Sequence, residues 1–146
     1  MAQTKQIKKI LLAFSGGLDT STLVPWLKEK YNAEIVCYCS DLGNAPDAEW
    51  LKKWALELGA SDLIFEDVKE EFASRFVFPA VRANATYQDT YLLGTSLGRP
   101  LIAERMAYFA KKLGADAVSH GCTGKGNDQL RLERSWAFLI PEVERS

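Results

Sequence analysis

Short, nearly continuous apolar runs alternate along this chain with longer stretches whose apolar positions recur at spacings of three and four. The runs Lys8 to Phe14, Glu34 to Cys39, Leu63 to Phe65 and Ala117 to His120 predict strands buried on both faces. The stretches Ser21 to Lys30, Asp47 to Leu58, Val68 to Asn84 and Arg99 to Leu113 predict helices; Trp50, Leu51, Trp54 and Leu58, for example, share one helical face. Gly59 and Gly114 follow the last periodic residues, where helices commonly close on a left-handed residue. Strict alternation of strand and helix predicts an α/β fold, a parallel twisted sheet with helices on both faces, Rossmann-like in outline. Sheets of this kind bind ligands beyond the carboxyl ends of their strands. Ser15 to Ser21, Ser40 to Asn44 and Gly121 to Asp128 each follow a predicted strand, so these polar or glycine-rich segments are expected to converge on one edge.

Two prolines disturb the pattern. Pro25 falls just after the opening turn of the first helix and, lacking a backbone donor, is expected to kink or shorten it. Pro79 is expected to divide Val68 to Asn84 into two pieces. Residues Asn84 to Gly98 hold turn formers and few periodic apolar positions, and read as an ordered functional loop or a disordered excursion. No repeat, low-complexity tract or linker interrupts the 146 residues, which read as a single domain, 1–146.

The densest chemistry lies directly behind the first apolar run, in Ser15-Gly16-Gly17-Leu18-Asp19-Thr20-Ser21. A strand that ends in two glycines and opens into a helix makes an anion cradle. The glycines admit close backbone approach, with positive φ expected at Gly17, and the free N–H groups of the helix start add donors and a partial positive charge. Neither the P-loop spacing nor the dinucleotide fingerprint fits these residues. What remains is similar to the SGGxD[ST] pyrophosphate loop of the ATP pyrophosphatases, which cleave ATP between its α and β phosphates. A second set, His120-Gly121-Cys122-Thr123-Gly124-Lys125-Gly126-Asn127-Asp128-Gln129, follows the last predicted strand. Here Lys125 can neutralise phosphate, while Thr123, Asn127 and Asp128 can fix a polar zwitterion. A third, Tyr91 to Pro100, offers a phenol, two hydroxyls and a guanidinium ahead of a helix; by themselves such residues are more often caps. The lone His120 could relay a proton, although a histidine at a strand end is more often a packing residue.

Composition narrows the classes. At 47% hydrophobic, 25% charged and a net charge of −1, the chain offers no electrostatic case for nucleic acid or an anionic membrane, so any anion must be held locally. No apolar stretch approaches a membrane span, and the start of the chain lacks the order of a signal peptide, which points to the cytoplasm. Cys37, Cys39 and Cys122 match no zinc or redox spacing; the first two read as small core residues on one strand face.

Four segments, SGGLDTS, EDVKEEF, YLLGTSLGRPLIA and SHGCTGKGNDQ, occur in an order and at separations that resemble the N-terminal nucleotide-binding region of argininosuccinate synthase, from about Lys9 to Glu133. The resemblance implies an adenine nucleotide alpha hydrolase-like fold and ATP-dependent condensation of citrulline with aspartate through a citrullyl-adenylate, releasing AMP and pyrophosphate. It implies ATP contacts at Ala13, Phe14, Ser15, Gly16, Gly17, Leu18, Asp19, Thr20, Ser21, Ser40 and Gly121, with Mg²⁺ as companion ion. It further implies citrulline contacts at Tyr91, Ser96, Asn127 and Arg131, and aspartate contacts at Thr123, Asn127 and Asp128. Family members are longer and assemble as homo-oligomers, tetramers, through a second domain, so the 146 residues are expected to bind ATP weakly without turning over. Trp136, Phe138, Leu139 and Ile140 are expected to form an exposed apolar cluster that promotes self-association. Gly98, Leu132 and Arg134 stand where the family usually has alanine, phenylalanine and an apolar residue. Two other readings remain: an ATP-binding module without chemistry, which needs neither polar set, and another adenylating ATP pyrophosphatase, such as a tRNA-thiolating enzyme, which wants a reactive cysteine pair and a basic tract.

Overall fold

The strand β1 (Lys9–Ala13) lies at the centre because Ile10, Leu11 and Leu12 are all fully buried, which only a strand covered on both faces can achieve. The computed structural model describes residues 6–145. After β1 the chain forms α1 (Leu18–Tyr31), β2 (Glu34–Asp41), α2 (Ala48–Glu57), β3 (Asp62–Asp67), α3 (Lys69–Phe72), a π-helical turn (Ala73–Val77), α4 (Phe78–Arg82), α5 (Gly94–Leu113), β4 (Ala117–Ser119), α6 (Asn127–Leu139) and β5 (Glu144–Arg145). The five strands are all parallel and lie in the order β3-β2-β1-β4-β5. Ile10 sits beside Ile35 on one flank and Ala117 on the other.

Alternation along the strands sorts the core into two layers. Ile10, Leu12, Ile35 and Cys37 pack with Val24 and Leu27 of α1 and Leu51 and Ala55 of α2. Leu11, Val36 and Tyr38 face the other way, against Met106 and Ala110 of α5, Trp136 of α6 and Ile140 just past its end. The chain runs outward from β1 through β2 to β3, then crosses to the opposite side of β1 for β4. The connections behind β1 and β4 therefore diverge from adjacent strand ends, and a crevice opens between them.

The differences from the expected elements have local causes. α1 runs unbroken through Pro25 and starts three residues before Ser21, at Leu18. Burial of Val24 and Leu27, worth about 1.5 to 3 kcal/mol per side chain, offsets the roughly 3 kcal/mol of an interior proline, whose own side chain is exposed. The segment around Pro79 is divided, but by the π turn that precedes it, which leaves Pro79 in the opening turn of α4. Within 84–98, Tyr87 and Tyr91 form an antiparallel bridge around Gln88 and Asp89, both at positive φ, and α5 starts at Gly94 rather than at Arg99.

The expected C-terminal apolar cluster is not exposed as a unit. Trp136 of α6 and Ile140 at its C-cap are fully buried, Leu139 is half-buried, and of the four only Phe138 projects outward, at 86% exposure. Glu144–Arg145 then pair with β4, so a short strand follows this segment. The basis for self-association through four apolar side chains is thereby removed. Cys37 and Cys39 are buried free thiols as expected, pushed by burial up to about 12 and about 11.

Candidate functional site

Just past β1 comes the buried Phe14, and then Gly16 turns the chain at φ +76°, where a left-handed conformation favours glycine. A Cβ on Gly16 would stand 2.6 Å from Leu51 Cδ1, so the turn lies flat on α2. Gly17, the residue expected at positive φ, is instead extended at φ −74° and ψ 170° and precedes α1 as its cap. The first helical bond runs from Ser21 N to Gly17 O, at 2.9 Å. The amides of Leu18, Asp19 and Thr20 thus have no carbonyl of a preceding turn to bond. Hydroxyls gather beside them: Ser15 Oγ lies 3.3 Å from Thr20 Oγ1, which donates to Gly17 O at 3.2 Å.

The crevice holds a cavity of about 510 Å³. Its floor and first wall are Ala13, Phe14, Ser15, Gly17, Leu18, Asp19 and Thr20. The second wall is the end of β2, Tyr38 to Ser40, with the loop Leu42, Asn44, Ala45 and Pro46. The third is His120, Gly121 and Cys122 behind β4, closed by Arg99 and Ile102 of α5 and Leu132 of α6. A Cβ on Gly121 would come within 3.0 Å of Thr20 Cγ2, so glycine at 121 lets the β4 loop seat against the start of α1.

Each wall is braced from behind. Ser40 Oγ donates to Tyr38 Oη at 2.6 Å, and Tyr38 Oη donates to Glu66 Oε2 at 2.7 Å. Arg105 grips Glu66 bidentately, Nε at 3.0 Å and Nη2 at 2.5 Å. Burial opposes ionisation of Glu66, but the Arg105 guanidinium and the Tyr38 hydroxyl still hold its carboxyl below the usual range. Burial pushes the Tyr38 phenol far up, so it remains a donor. Behind β4, His120 Nδ1 accepts the Cys122 amide at 3.0 Å, its ring packs 5.8 Å from that of Trp136, and Nε2 lies 3.5 Å from Glu133. This is a bracing role for His120.

The β2 loop hangs on Asp41. Its Oδ1 accepts Gly43 N at 2.8 Å and Ala45 N at 3.3 Å, while Oδ2 accepts Lys69 Nζ at 2.6 Å. The Lys69 ammonium first, and then the Gly43 amide, hold this carboxyl below its ordinary value of 3.8. A carboxyl lowered by folding stabilises the fold above its unfolded value, and that contribution is lost as the pH falls through the folded one. Asp41→Asn is therefore expected to lower the melting temperature by a constant amount above about pH 5, with the gap to wild type closing below about pH 4. A gap as wide well below pH 4 as it is above pH 5 would contradict this role for Asp41.

Of the residues picked out in the sequence, Ala13, Phe14, Ser15, Gly17, Leu18, Asp19, Thr20, Ser40 and Gly121 meet at this cavity. Gly16 and Ser21 stand behind it: Gly16 against α2, and Ser21 buried, its Oγ accepting Trp54 Nε1 at 2.9 Å. Tyr91, Ser96, Thr123 and Asn127 are not on its wall; Tyr91 is exposed and its hydroxyl lies 3.3 Å from Thr95 Oγ1. Asp128 and Arg131 adjoin the cavity through Arg99, with Arg99 Nε 3.0 Å from Asp128 Oδ2 and Arg131 Nη1 2.8 Å from Oδ1. Lys125 is exposed and away from the wall. Arg99, a guanidinium near the predicted start of a helix, is a wall residue that its sequence surroundings do not single out. The segment Ser40 to Asn44, expected at this edge, supplies Ser40, Leu42 and Asn44 to the wall, and Ala45 and Pro46 extend it by two residues.

Residues 9–145 match the family model of the arginosuccinate synthase N-terminal HUP domain. The argininosuccinate synthase of Syntrophus aciditrophicus is 54% identical over 137 residues, covering 94% of this chain and 34% of that protein. The chloroplastic argininosuccinate synthase of Arabidopsis thaliana is 52% identical over 140 residues, covering 95% of this chain and 28% of that protein. The chain thus spans about a third of the length of the curated relatives it matches. Among solved structures, the NH3-dependent NAD synthetase of Campylobacter jejuni superposes with a TM-score of 0.54 at 17% identity, over 82% of this chain and 49% of that one, a likeness of fold. Matched along nearly its whole length, this chain belongs to the argininosuccinate synthase family.

Proposed function

We propose that this chain is the ATP-binding part of a ligase that joins citrulline to aspartate, forming argininosuccinate through a citrullyl-adenylate with release of AMP and pyrophosphate. The observation that carries the reading is the cradle at the sheet's switch point, where the free amides of Leu18 to Thr20 and the Ser15 and Thr20 hydroxyls face a cavity large enough for a nucleotide. The stretch Ala13 to Ser21, with Ser40 and Gly121, takes ATP: its phosphates lie at the helix start and its adenosine toward the end of β2. Tyr91, Ser96, Asn127 and Arg131 take citrulline; Thr123, Asn127 and Asp128 take aspartate. Asp128 already accepts two guanidinium bonds, and a carboxylate has lone pairs left for an ammonium.

In this reading no side chain acts as a nucleophile. The citrulline ureido oxygen attacks the α phosphorus, the bond to the β-phosphate bridging oxygen breaks, and the aspartate amine then displaces AMP. The chain's part is to hold the reactants in line and to donate hydrogen bonds to the departing pyrophosphate. Among the described residues no cluster of three or more His, Cys, Asp or Glu could cage a metal, and Asp19 is the one carboxylate on the cavity wall. These donors fit a Mg²⁺ that arrives on the triphosphate, supplying charge screening, with Asp19 available to it. Among the described residues no helix is long and apolar enough to cross a membrane. Assembly into a homo-oligomer, a tetramer, belongs to the same proposal.

Calorimetry with ATP, citrulline and aspartate, singly and together, tests the reading. ATP is expected to bind the chain, and pyrophosphate release in the joint mixture is expected to be absent from these 146 residues alone. Failure to bind ATP would overturn the assignment, and robust release would show that the whole active site lies within the chain.

A further inference from the structure

A nucleotide triphosphate brings several negative charges into the cavity, yet the lysine marked out by the sequence, Lys125, does not face it. Arg99 does. It is the one lysine or arginine on the cavity wall among the described residues, opposite the phosphate cradle on the face built by α5 and α6. Arg99 is half-buried, and its Nε donates to Asp128 Oδ2 at 3.0 Å, which fixes the plane of the guanidinium. Neither terminal nitrogen of Arg99 has a hydrogen-bond partner among the described residues. Asp128 is shared with Arg131, so two guanidiniums on one carboxylate leave the cluster an excess positive charge. A planar fork with both outer nitrogens free, held rigid from behind, is suited to bidentate contact with phosphate oxygens.

We infer that Arg99 is the phosphate-binding cation of this site, its terminal nitrogens contacting the triphosphate while Asp128 holds Nε. This rests on the nucleotide reading above and adds a residue to it. In transfer to citrulline the same contact would stabilise the charge that accumulates on the departing pyrophosphate.

The test titrates ATP and adenosine separately against the full chain, in wild type, Arg99→Gln and Arg99→Lys, with melting curves recorded for each. Loss of a charge-assisted contact is expected to weaken ATP about 10- to 100-fold in Arg99→Gln. Adenosine, without phosphates, should change by less than about twofold. Arg99→Lys keeps the charge but not the fork and is expected to fall between. Unchanged ATP affinity in Arg99→Gln, or equal weakening of ATP and adenosine in a folded variant, would overturn the role of Arg99 alone. Should Arg99→Gln fail to fold, Arg99→Lys carries the test, and ATP bound as tightly as by wild type would overturn the fork contact. Wild-type protein that binds neither ligand would overturn the nucleotide reading, and this inference with it.

Discussion

Replacing Trp136 with alanine is expected to lower stability by about 3 to 5 kcal/mol, the largest loss from any single side chain in this protein. Trp136 is the bulkiest fully buried residue. It ties α6 to α5 through its Nε1–H, which donates to Ala103 O at 3.3 Å, and it supports the His120 ring from beneath. Its removal leaves a cavity between α5, α6 and the sheet that the close-packed neighbours Met106, Ile140 and Leu132 can fill only in part. A fold with a total stability of about 5 to 15 kcal/mol has little margin for this. The effect should reach the site, because His120 positions the Cys122 amide on the cavity wall. Denaturant unfolding checks it: a loss under about 1 kcal/mol would mean that α6 is not docked as described.

Gly16→Val and Gly17→Val, adjacent substitutions of the same kind, are expected to fail in opposite ways. At Gly16 a β-branched residue would have to adopt φ +76° and push its Cβ to 2.6 Å from Leu51 Cδ1 and 3.2 Å from Trp50 Cζ3. Left-handed strain of about 1 to 2 kcal/mol and overpacking of about 1 to 3 kcal/mol add, because the buried Leu51 has no room to retreat. The melting temperature should fall by roughly 5 to 15 °C. At Gly17 the backbone suits any residue, and a Cβ meets only Ser15 Oγ, at 3.4 Å. The fold should hold within about 1 kcal/mol, while the added side chain stands in the cradle and ATP affinity collapses. Melting curves and ATP titrations on the two variants separate these outcomes. A Gly17→Val protein that unfolds, or a Gly16→Val protein that melts like wild type, would show that the turn is placed wrongly.

What could be read from the sequence was whatever local pattern decides. β1 and β2 announce themselves because a strand buried on both faces has no polar alternate residues to obscure it. The phosphate loop announces itself because its glycines and hydroxyls are contiguous. Long-range packing decided the rest. Which of two adjacent glycines takes positive φ depends on Leu51 of α2, far along the chain. The start of α5 carries no local signal because Leu93, in a left-handed conformation, precedes it without any side-chain cap. α6 hid behind a glycine-rich loop, and the inward turn of Trp136 and Ile140 needs the partner surface of α5 to make sense. The choice of Arg99 over Lys125 on the cavity wall is likewise tertiary: α5 places Arg99 on the wall, and the turn ahead of α6 leaves Lys125 in solvent.

The central claim, that the crevice between the β1 and β4 connections is a nucleotide site, is tested most directly by following backbone amide resonances while ATP is added. Saturable shifts are expected to concentrate at Ser15 to Thr20, Ser40 and Gly121, with Tyr87 and Leu92, outside the cavity, left in place. Saturable binding that moves resonances elsewhere and leaves Ser15 to Thr20 unshifted would contradict it.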